Sequence, residues 1–132
     1  MARVALDADV VIAFLDAGDD QHARAVEMVR DRLAAGDDIV IGASVYAEVM
    51  VRPLQRGADA TVDAFLDGIG ATVVPVDRGV AGLAAQLRAR HRALRLPDAL
   101  ALAVALGSDA ELLTLDQRLR RIAARKRPSD DR

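Results

Sequence analysis

The sequence predicts one α/β domain, a three-layer sandwich in which helices cover both faces of a central parallel sheet of four strands, with a fifth left open. Short apolar runs rich in β-branched residues alternate along the chain with longer segments in which apolar residues recur at helical spacing. This alternation is typical of parallel sheets with right-handed helical crossovers. The length of 132 residues fits a single domain with a sizeable core.

In the N-terminal half, the apolar run at residues 4–6 predicts the first strand. Two helical segments follow it, separated by a Gly-Asp-Asp break at residues 18–20. The next run, at residues 39–41, is β-branched throughout and predicts the second strand. Ser44 is expected to cap the helix after it, and Pro53 to interrupt that helix.

In the C-terminal half, a helix that ends before Gly70 leads to a third strand at residues 72–74. A helix is expected from Asp77 to about residue 94, and Pro97 opens another that is apolar on nearly every side. The fourth strand is predicted at residues 112–114.

An arginine-rich final helix is expected to begin at Asp116. We therefore expect the folded domain to cover residues 1–125 and the basic and polar stretch at 126–132 to form a frayed tail.

The composition excludes several kinds of site. Without cysteine, the chain has no disulfide, thiolate zinc site or cysteine nucleophile. Its three aromatic residues cannot form a base-stacking platform. The longest apolar run, residues 99–106, is shorter than the ~20 residues that span a bilayer. Acids at positions 7 and 9 do not suit a signal peptide, so we expect a cytoplasmic protein that does not enter a membrane.

The net charge of −2 hides an uneven distribution. Residues 1–77 carry 6 Arg against 14 Asp and Glu, a net charge of −8, whereas residues 78–132 carry a net charge of +6. This polarity fits a carboxylate pocket beside a phosphate-binding rim, and it equally fits solvated helix faces.

Four acids occupy related places in the predicted fold. Asp7 follows the first strand, and Asp116 lies just beyond the fourth. Glu48 lies one turn into the helix after the second strand, and Asp98 lies at the start of the helix that leads to the fourth. Because the carboxyl ends of parallel strands meet at one edge, neighbouring first and fourth strands would bring Asp7 and Asp116 together.

Four carboxylates in one cavity repel one another, and a divalent cation removes that conflict. Ligation by oxygen alone suits a hard ion such as Mg²⁺ or Mn²⁺. The alternative is structural: Asp7, Asp98 and Asp116 each stand near a helix start, where Asp is a common cap, and Glu48 fits an exposed helix face.

Four segments resemble the acidic motifs of PIN-domain ribonucleases, in the family's order. They are Leu-Asp-Ala-Asp-Val-Val-Ile at 6–12, Ser-Val-Tyr-Ala-Glu-Val at 44–49, Leu-Pro-Asp-Ala-Leu-Ala at 96–101 and Leu-Thr-Leu-Asp at 113–116. The resemblance covers residues 4–119, and at this size the chain is most similar to the VapC-type toxins of bacterial toxin–antitoxin pairs.

The resemblance implies an Mg²⁺- or Mn²⁺-dependent endoribonuclease. It makes Asp7, Glu48, Asp98 and Asp116 the catalytic, metal-holding acids and Thr114 a supporting hydroxyl. It also implies an RNA substrate, a homodimer and a small antitoxin protein that covers the active site.

The chain departs from the family pattern in two places. Asp9 stands where the family commonly has Ser or Asn, so either an extra carboxylate joins the site or Asp9 caps the first helix, and we favour the cap. The family often has an aromatic residue and a fifth strand after the fourth acid, whereas here basic residues follow Leu119.

A basic cluster precedes the third acidic motif and offers RNA-binding candidates, because arginine suits phosphate recognition. Its members are Arg88, Arg90, Arg92 and Arg95. A solvated helix face is the alternative, and neither histidine is assigned to catalysis.

Two other functions stay open. Asp-Ala-Asp-Val-Val at 7–11 also resembles the first motif of haloacid-dehalogenase-like phosphatases, although that chemistry needs a lysine near the phosphate and the only lysine is Lys126. The other alternative is a catalytically inactive PIN-like module that binds RNA or protein.

Overall fold

Four parallel strands form the central sheet of residues 2–126, the part of the chain that this computed structural model describes. They are β1 (Arg3–Leu6), β2 (Asp38–Gly42), β3 (Thr72–Val74) and β4 (Glu111–Leu113). They lie in the order β3-β2-β1-β4, so β1 and β4 are neighbours. The predicted fold class is confirmed, and residues 2–126 contain no fifth strand.

Helices connect and flank the strands. They are α1 (Ala8–Leu15), α2 (His22–Ala34), α3 (Ala43–Arg56), α4 (Asp59–Gly68), α5 (Arg78–Arg90), α6 (Leu96–Gly107) and α7 (Gln117–Arg125). The pairs α1 with α2 and α5 with α6 pack together, and α3 contacts α1, α4 and α6.

The helix α6 is the most buried of these helices, because its residues 101–105 are all buried. It contacts β1, β2 and β4 as well as α3 and α5. Gly42, at the junction of β2 and α3, lies so close that a Cβ atom there would be 2.9 Å from Val104 Cγ2 of α6. A glycine at this junction therefore lets the start of α3 approach α6.

The start and end of α3 differ from the sequence prediction. Gly42, not Ser44, occupies the N-cap position, and the Ser44 hydroxyl is buried without a hydrogen-bond partner. Pro53 lies inside the helix, which continues to Arg56 and ends at Gly57 in the left-handed conformation. The burial of Val45, Val49 and Met50 on one face of α3 offsets the hydrogen bond that a proline removes.

The helix α5 ends at Arg90, four residues earlier than predicted. His91 leaves the helical conformation, and the buried Leu94 turns back so that its amide donates to the His91 carbonyl at 2.9 Å. Arg88 Nε donates to the Leu94 carbonyl at 3.0 Å. This turn places Arg95 at the N-cap of α6.

Just beyond β4, the side chain of Arg120 covers part of the sheet edge. The Leu113 carbonyl accepts a hydrogen bond from the Asp7 amide at 2.9 Å, so it faces β1. Carbonyl groups alternate in direction along a strand, and the next one, that of Thr114, accepts from Arg120 Nη2 at 2.7 Å.

The C-terminal part of the predicted tail, residues 127–132, lies outside the described residues, and the described chain ends at Lys126, just after α7. No helix in the described range has the length and apolar character needed to cross a bilayer.

Candidate functional site

Asp7 lies at the carboxyl end of β1 and is the N-cap residue of α1. Only 8% of it is exposed. Its Oδ1 accepts a hydrogen bond from the Ala8 amide at 2.9 Å, and its Oδ2 accepts from the Thr114 hydroxyl at 2.8 Å. Both carboxylate oxygens are thus held in place at the edge where the sequence places the site.

Thr114 follows β4 directly, is wholly buried and connects three acids. Its Oγ1 lies 2.8 Å from Asp7 Oδ2 and 3.2 Å from Asp9 Oδ2, and it accepts a hydrogen bond from the Asp116 amide at 3.1 Å. A hydroxyl group has a single proton to donate. Two carboxylates therefore compete for the one hydroxyl proton, which can be donated to only one of them at a time.

Asp9 does not cap α1, so that interpretation is wrong. Asp7 is the cap, and Asp9 lies in the first turn, where its Oδ2 accepts from the Leu115 amide at 3.1 Å as well as facing Thr114. Its Oδ1 is buried and has no hydrogen-bond partner. The reason is tertiary: the pairing of β1 with β4 brings residues 114 and 115 over the start of α1.

The pKa of Asp7 is raised to about 7, chiefly by burial and then by the neighbouring charge of Asp9, while the hydrogen bond from Thr114 opposes the shift. Asp98 adds a smaller effect in the same direction as burial. Burial also raises the pKa of Asp9, against the hydrogen bonds from Leu115 and Thr114. The pocket therefore disfavours negative charge unless a positive charge enters it.

Glu48 on α3 and Asp98 on α6 are close enough to interact electrostatically, because their two helices are in contact. Partial burial raises the pKa of Glu48, the Asp98 charge raises it further, and Arg95 opposes both. Arg95 Nε lies 3.6 Å from Asp98 Oδ2, which links the basic residue at the α6 N-cap to the acidic pair.

Asp116 is exposed and is the N-cap residue of α7. Its Oδ1 accepts from the amides of Arg118 and Leu119 at 2.9 and 3.1 Å. Its charge also raises the pKa of Asp9. Asp116 therefore caps a helix and contributes charge to the pocket at the same time, and the two interpretations of the sequence do not exclude each other.

The five acids influence one another electrostatically, but their side chains do not surround a common point. Within the described residues, no three acidic or histidine side chains are arranged to hold a metal ion. The acids nevertheless fit a hard cation, because their donors are carboxylate oxygens and the buried Asp9 Oδ1 beside them has no partner that compensates its charge. The acids concerned are Asp7, Asp9, Glu48, Asp98 and Asp116.

The basic cluster is divided by the structure. Arg88 is held by its hydrogen bond to the Leu94 carbonyl, and Arg95 stands beside Asp98. Arg90 and Arg92 are exposed at the end of α5 and in the turn after it.

A further arginine, Arg118, was missed by the sequence analysis. Its Nη2 donates to the Ala93 carbonyl at 3.3 Å, so it links the start of α7 to the turn that carries Arg92. Arg118 lies two residues after Asp116 in the sequence, and this closeness to the fourth acid is the signal that could have marked it as a residue near the site.

An apolar groove of about 510 Å³ that the sequence pattern does not indicate lies between α1, α3 and α4. Its exposed apolar members are Ile12, Leu15 and Val51. Glu48 and Arg52 also line it, so the groove adjoins the acidic pocket.

We expect Asp7→Asn to stabilise the metal-free protein, and more so at alkaline pH. Folding raises the Asp7 pKa from 3.8 to about 7, so its carboxyl group stabilises the fold most below pH 3.8, and this stabilisation is lost as the pH rises through about 7. The advantage of the Asn variant in free energy of unfolding should therefore be on the order of 2 kcal/mol larger at pH 8 than at pH 5. Urea unfolding in EDTA measures it.

Asp20→Asn, which removes an exposed acid from the turn between α1 and α2, is the matched control. An equal advantage of Asp7→Asn at both pH values would contradict the assignment of a buried, destabilising charge to Asp7.

Comparison with known proteins identifies the family of this chain. The family model for the PIN domain matches residues 4–125. A search among curated proteins found no significant match.

Solved structures share the fold. A Mycobacterium tuberculosis toxin, VapC20, described as cleaving the sarcin-ricin loop, is 20% identical with a TM-score of 0.71, over 90% of this chain and 94% of that one. A toxin–antitoxin complex from Klebsiella pneumoniae is 23% identical with a TM-score of 0.69, and the match covers 87% of this chain and 88% of that one. VapBC2 from Rickettsia felis, bound to a promoter DNA fragment, is 17% identical with a TM-score of 0.69, and the match covers 89% of this chain and 91% of that one.

The family model spans β1 to the end of α7 and so includes all five acids of the pocket. The chain belongs to the PIN domain family.

Proposed function

We propose that the chain is a metal-dependent endoribonuclease that uses Mg²⁺ or Mn²⁺ and acts as the toxin of a toxin–antitoxin pair. The observation that carries the proposal is the buried Asp7 carboxylate, held on both oxygens and sharing one hydroxyl with Asp9. Membership of the PIN domain family and likeness to VapC structures support it. A cytoplasmic location is part of the same proposal.

In this proposal Asp7, Glu48, Asp98 and Asp116 hold the cation, and Thr114 orients Asp7. When bound, such a cation stabilises charge on phosphoryl oxygens and lowers the pKa of a water molecule. The Ala8 amide and the Thr114 hydroxyl fix the direction of the Asp7 oxygens before any ligand arrives, which reduces the cost of ordering the site.

The exposed Glu48 is the acid that we assign to the attacking water, because it combines solvent access with a raised pKa. It would orient the water and accept its proton. In-line attack by that water forms the new P–O bond and breaks the bond from phosphorus to the 3′ oxygen, which takes a proton from solvent, so the ends are 5′-phosphate and 3′-hydroxyl.

RNA binding is assigned to the basic cluster of Arg88, Arg90, Arg92 and Arg95. Arg90 and Arg92 are exposed and free to contact phosphates directly. Arg88 holds the turn through the Leu94 carbonyl. Arg95 stands beside Asp98, where a phosphate group at the acidic pocket would meet it.

We expect RNA cleavage to require Mg²⁺ or Mn²⁺ and to leave 5′-phosphate ends. Asp7→Asn, Asp98→Asn and Asp116→Asn should each lose at least a hundredfold in cleavage rate and stay folded, because Asn replaces Asp as a helix cap with little loss. Glu48→Gln should also lose cleavage and stay folded, because an amide cannot accept the proton of the attacking water. Gel assays of a labelled RNA, with circular dichroism of each variant, measure both effects.

The outcomes separate the alternatives. RNA binding without cleavage in Mg²⁺ or Mn²⁺ would favour an inactive PIN-like module. Cleavage undiminished by EDTA, or 2′,3′-cyclic phosphate ends, would exclude the proposed mechanism. The phosphatase alternative receives no support from the family match.

The basic cluster has its own test. Replacing Arg90 and Arg92 together with Gln should weaken RNA binding and lower the slope of log K against log salt by about 0.7 for each lost phosphate contact, because fewer counterions are released. Titrations at several salt concentrations measure the slope. Arg30→Gln, an exposed arginine on α2, is the control, and an unchanged slope in the double variant would return the cluster to a solvated helix face.

The groove between α1, α3 and α4 is where we propose that the antitoxin binds. One of the similar structures is a toxin–antitoxin complex. The groove exposes Ile12, Leu15 and Val51 and reaches Glu48, so a chain lying in it would also cover the acidic pocket. A homodimer is the assembly that we propose for the free toxin.

Ile12→Ser combined with Val51→Ser should weaken the complex with the product of the neighbouring short reading frame by at least tenfold, because two apolar anchors are removed. Calorimetric titration measures the affinity. Leu33→Ser, an exposed apolar residue on α2, is the control, and an equal loss there would exclude the groove as the binding surface.

A further inference from the structure

Asp9 makes one contact that the proposed mechanism does not use, the hydrogen bond that it accepts from the Leu115 amide. It lies on the first turn of α1, two residues after Asp7, and its hydrogen bonds reach across to the segment between β4 and α7. That segment, Thr114 to Asp116, is named here the β4–α7 loop. Asp9 therefore connects the helix that begins at the first acid with the loop that carries the last.

The connection depends on one oxygen atom. Asp9 Oδ2 accepts from the Leu115 amide at 3.1 Å and lies 3.2 Å from Thr114 Oγ1. Asp9 Oδ1 is buried and has no partner, so it contributes nothing to holding the loop. An amide oxygen could replace Oδ2 without changing the link.

The loop transmits this link to Asp116. The Asp116 amide donates to Thr114 Oγ1 at 3.1 Å, and the Asp116 side chain caps α7. With Thr114 and Leu115 held from α1, the backbone of Asp116 has a fixed place relative to Asp7. Without Asp9, Thr114 still contacts Asp7, but the Leu115 amide loses its acceptor.

We propose that Asp9 is a positioning residue that holds the β4–α7 loop against α1 and so fixes Asp116 relative to Asp7. The inference rests on the proposed nuclease function for its catalytic readout, whereas the loop itself can be measured without activity. Asp9 has no direct contact with RNA in this proposal and acts through Leu115 and Thr114.

The test compares Asp9→Ala, which removes the acceptor, with Asp9→Asn, which keeps an oxygen in its place. In Asp9→Ala we expect the Leu115 amide to exchange with deuterium at least tenfold faster and kcat for RNA cleavage to fall at least tenfold, with KM changed less than threefold, because misplacement of an acid affects the chemical step. Asp9→Asn should restore slow exchange and most of kcat. Amide exchange by NMR and steady-state kinetics provide the readouts.

Asp20→Asn is the control for loss of a single acidic charge. If Asp9→Ala does not fold, Asp9→Ser provides the same test, because its hydroxyl stops roughly 1.2 Å short of the Oδ2 position, about one C=O bond length.

Each outcome decides the proposal. Unchanged Leu115 exchange in the Ala or Ser variant would overturn it, and so would an Asn variant that behaves like Ala, since charge rather than the link would then matter. A parent protein that cleaves no RNA would overturn the proposed function, while the exchange measurements would still decide whether Asp9 holds the loop.

Discussion

The site depends on one hydroxyl group that the buried carboxylate of Asp7 shares with the partly buried carboxylate of Asp9. Thr114 offers a single proton to Asp7 and Asp9 and receives the Asp116 amide. This arrangement orders three acids from two ends of the chain, and it leaves their negative charge poorly compensated. Burial of Asp7 makes the conflict costly, which is why the pocket stabilises a proton, or a cation, more than a bare carboxylate.

The sheet order makes that contact possible. Strand β1 lies between β2 and β4, so the residues that follow β1 and β4 leave the sheet side by side. Helix α6 packs against β1, β2 and β4 and presents Asp98 from its first turn, while the close approach at Gly42 brings α3 and Glu48 beside it. The acids thus reach one region through four different elements, each held by the aliphatic core.

Much of this could be predicted from the sequence, because strand and helix periodicity is local. The four strands, the caps at Asp7 and Asp116 and the shared edge of the acids were all indicated by residue pattern. The contacts of Asp9 could not be predicted, since its partners are more than 100 residues away in the sequence. Its position near the start of α1 is also one where a helix cap is expected. The same holds for Arg118 and for the groove, which depend on how separate helices pack.

The guanidinium group of Arg120 has a consequence for how molecules of this protein meet one another. An outer strand with free carbonyl and amide groups is a template on which another chain can add a strand. Here β3 and β4 are only three residues long, and Arg120 already occupies the Thr114 carbonyl beyond β4 with a charged group. A chain approaching this side would meet a positive charge instead of an open carbonyl, which disfavours edge-to-edge aggregation beside β4, the last strand of the sheet within residues 2–126.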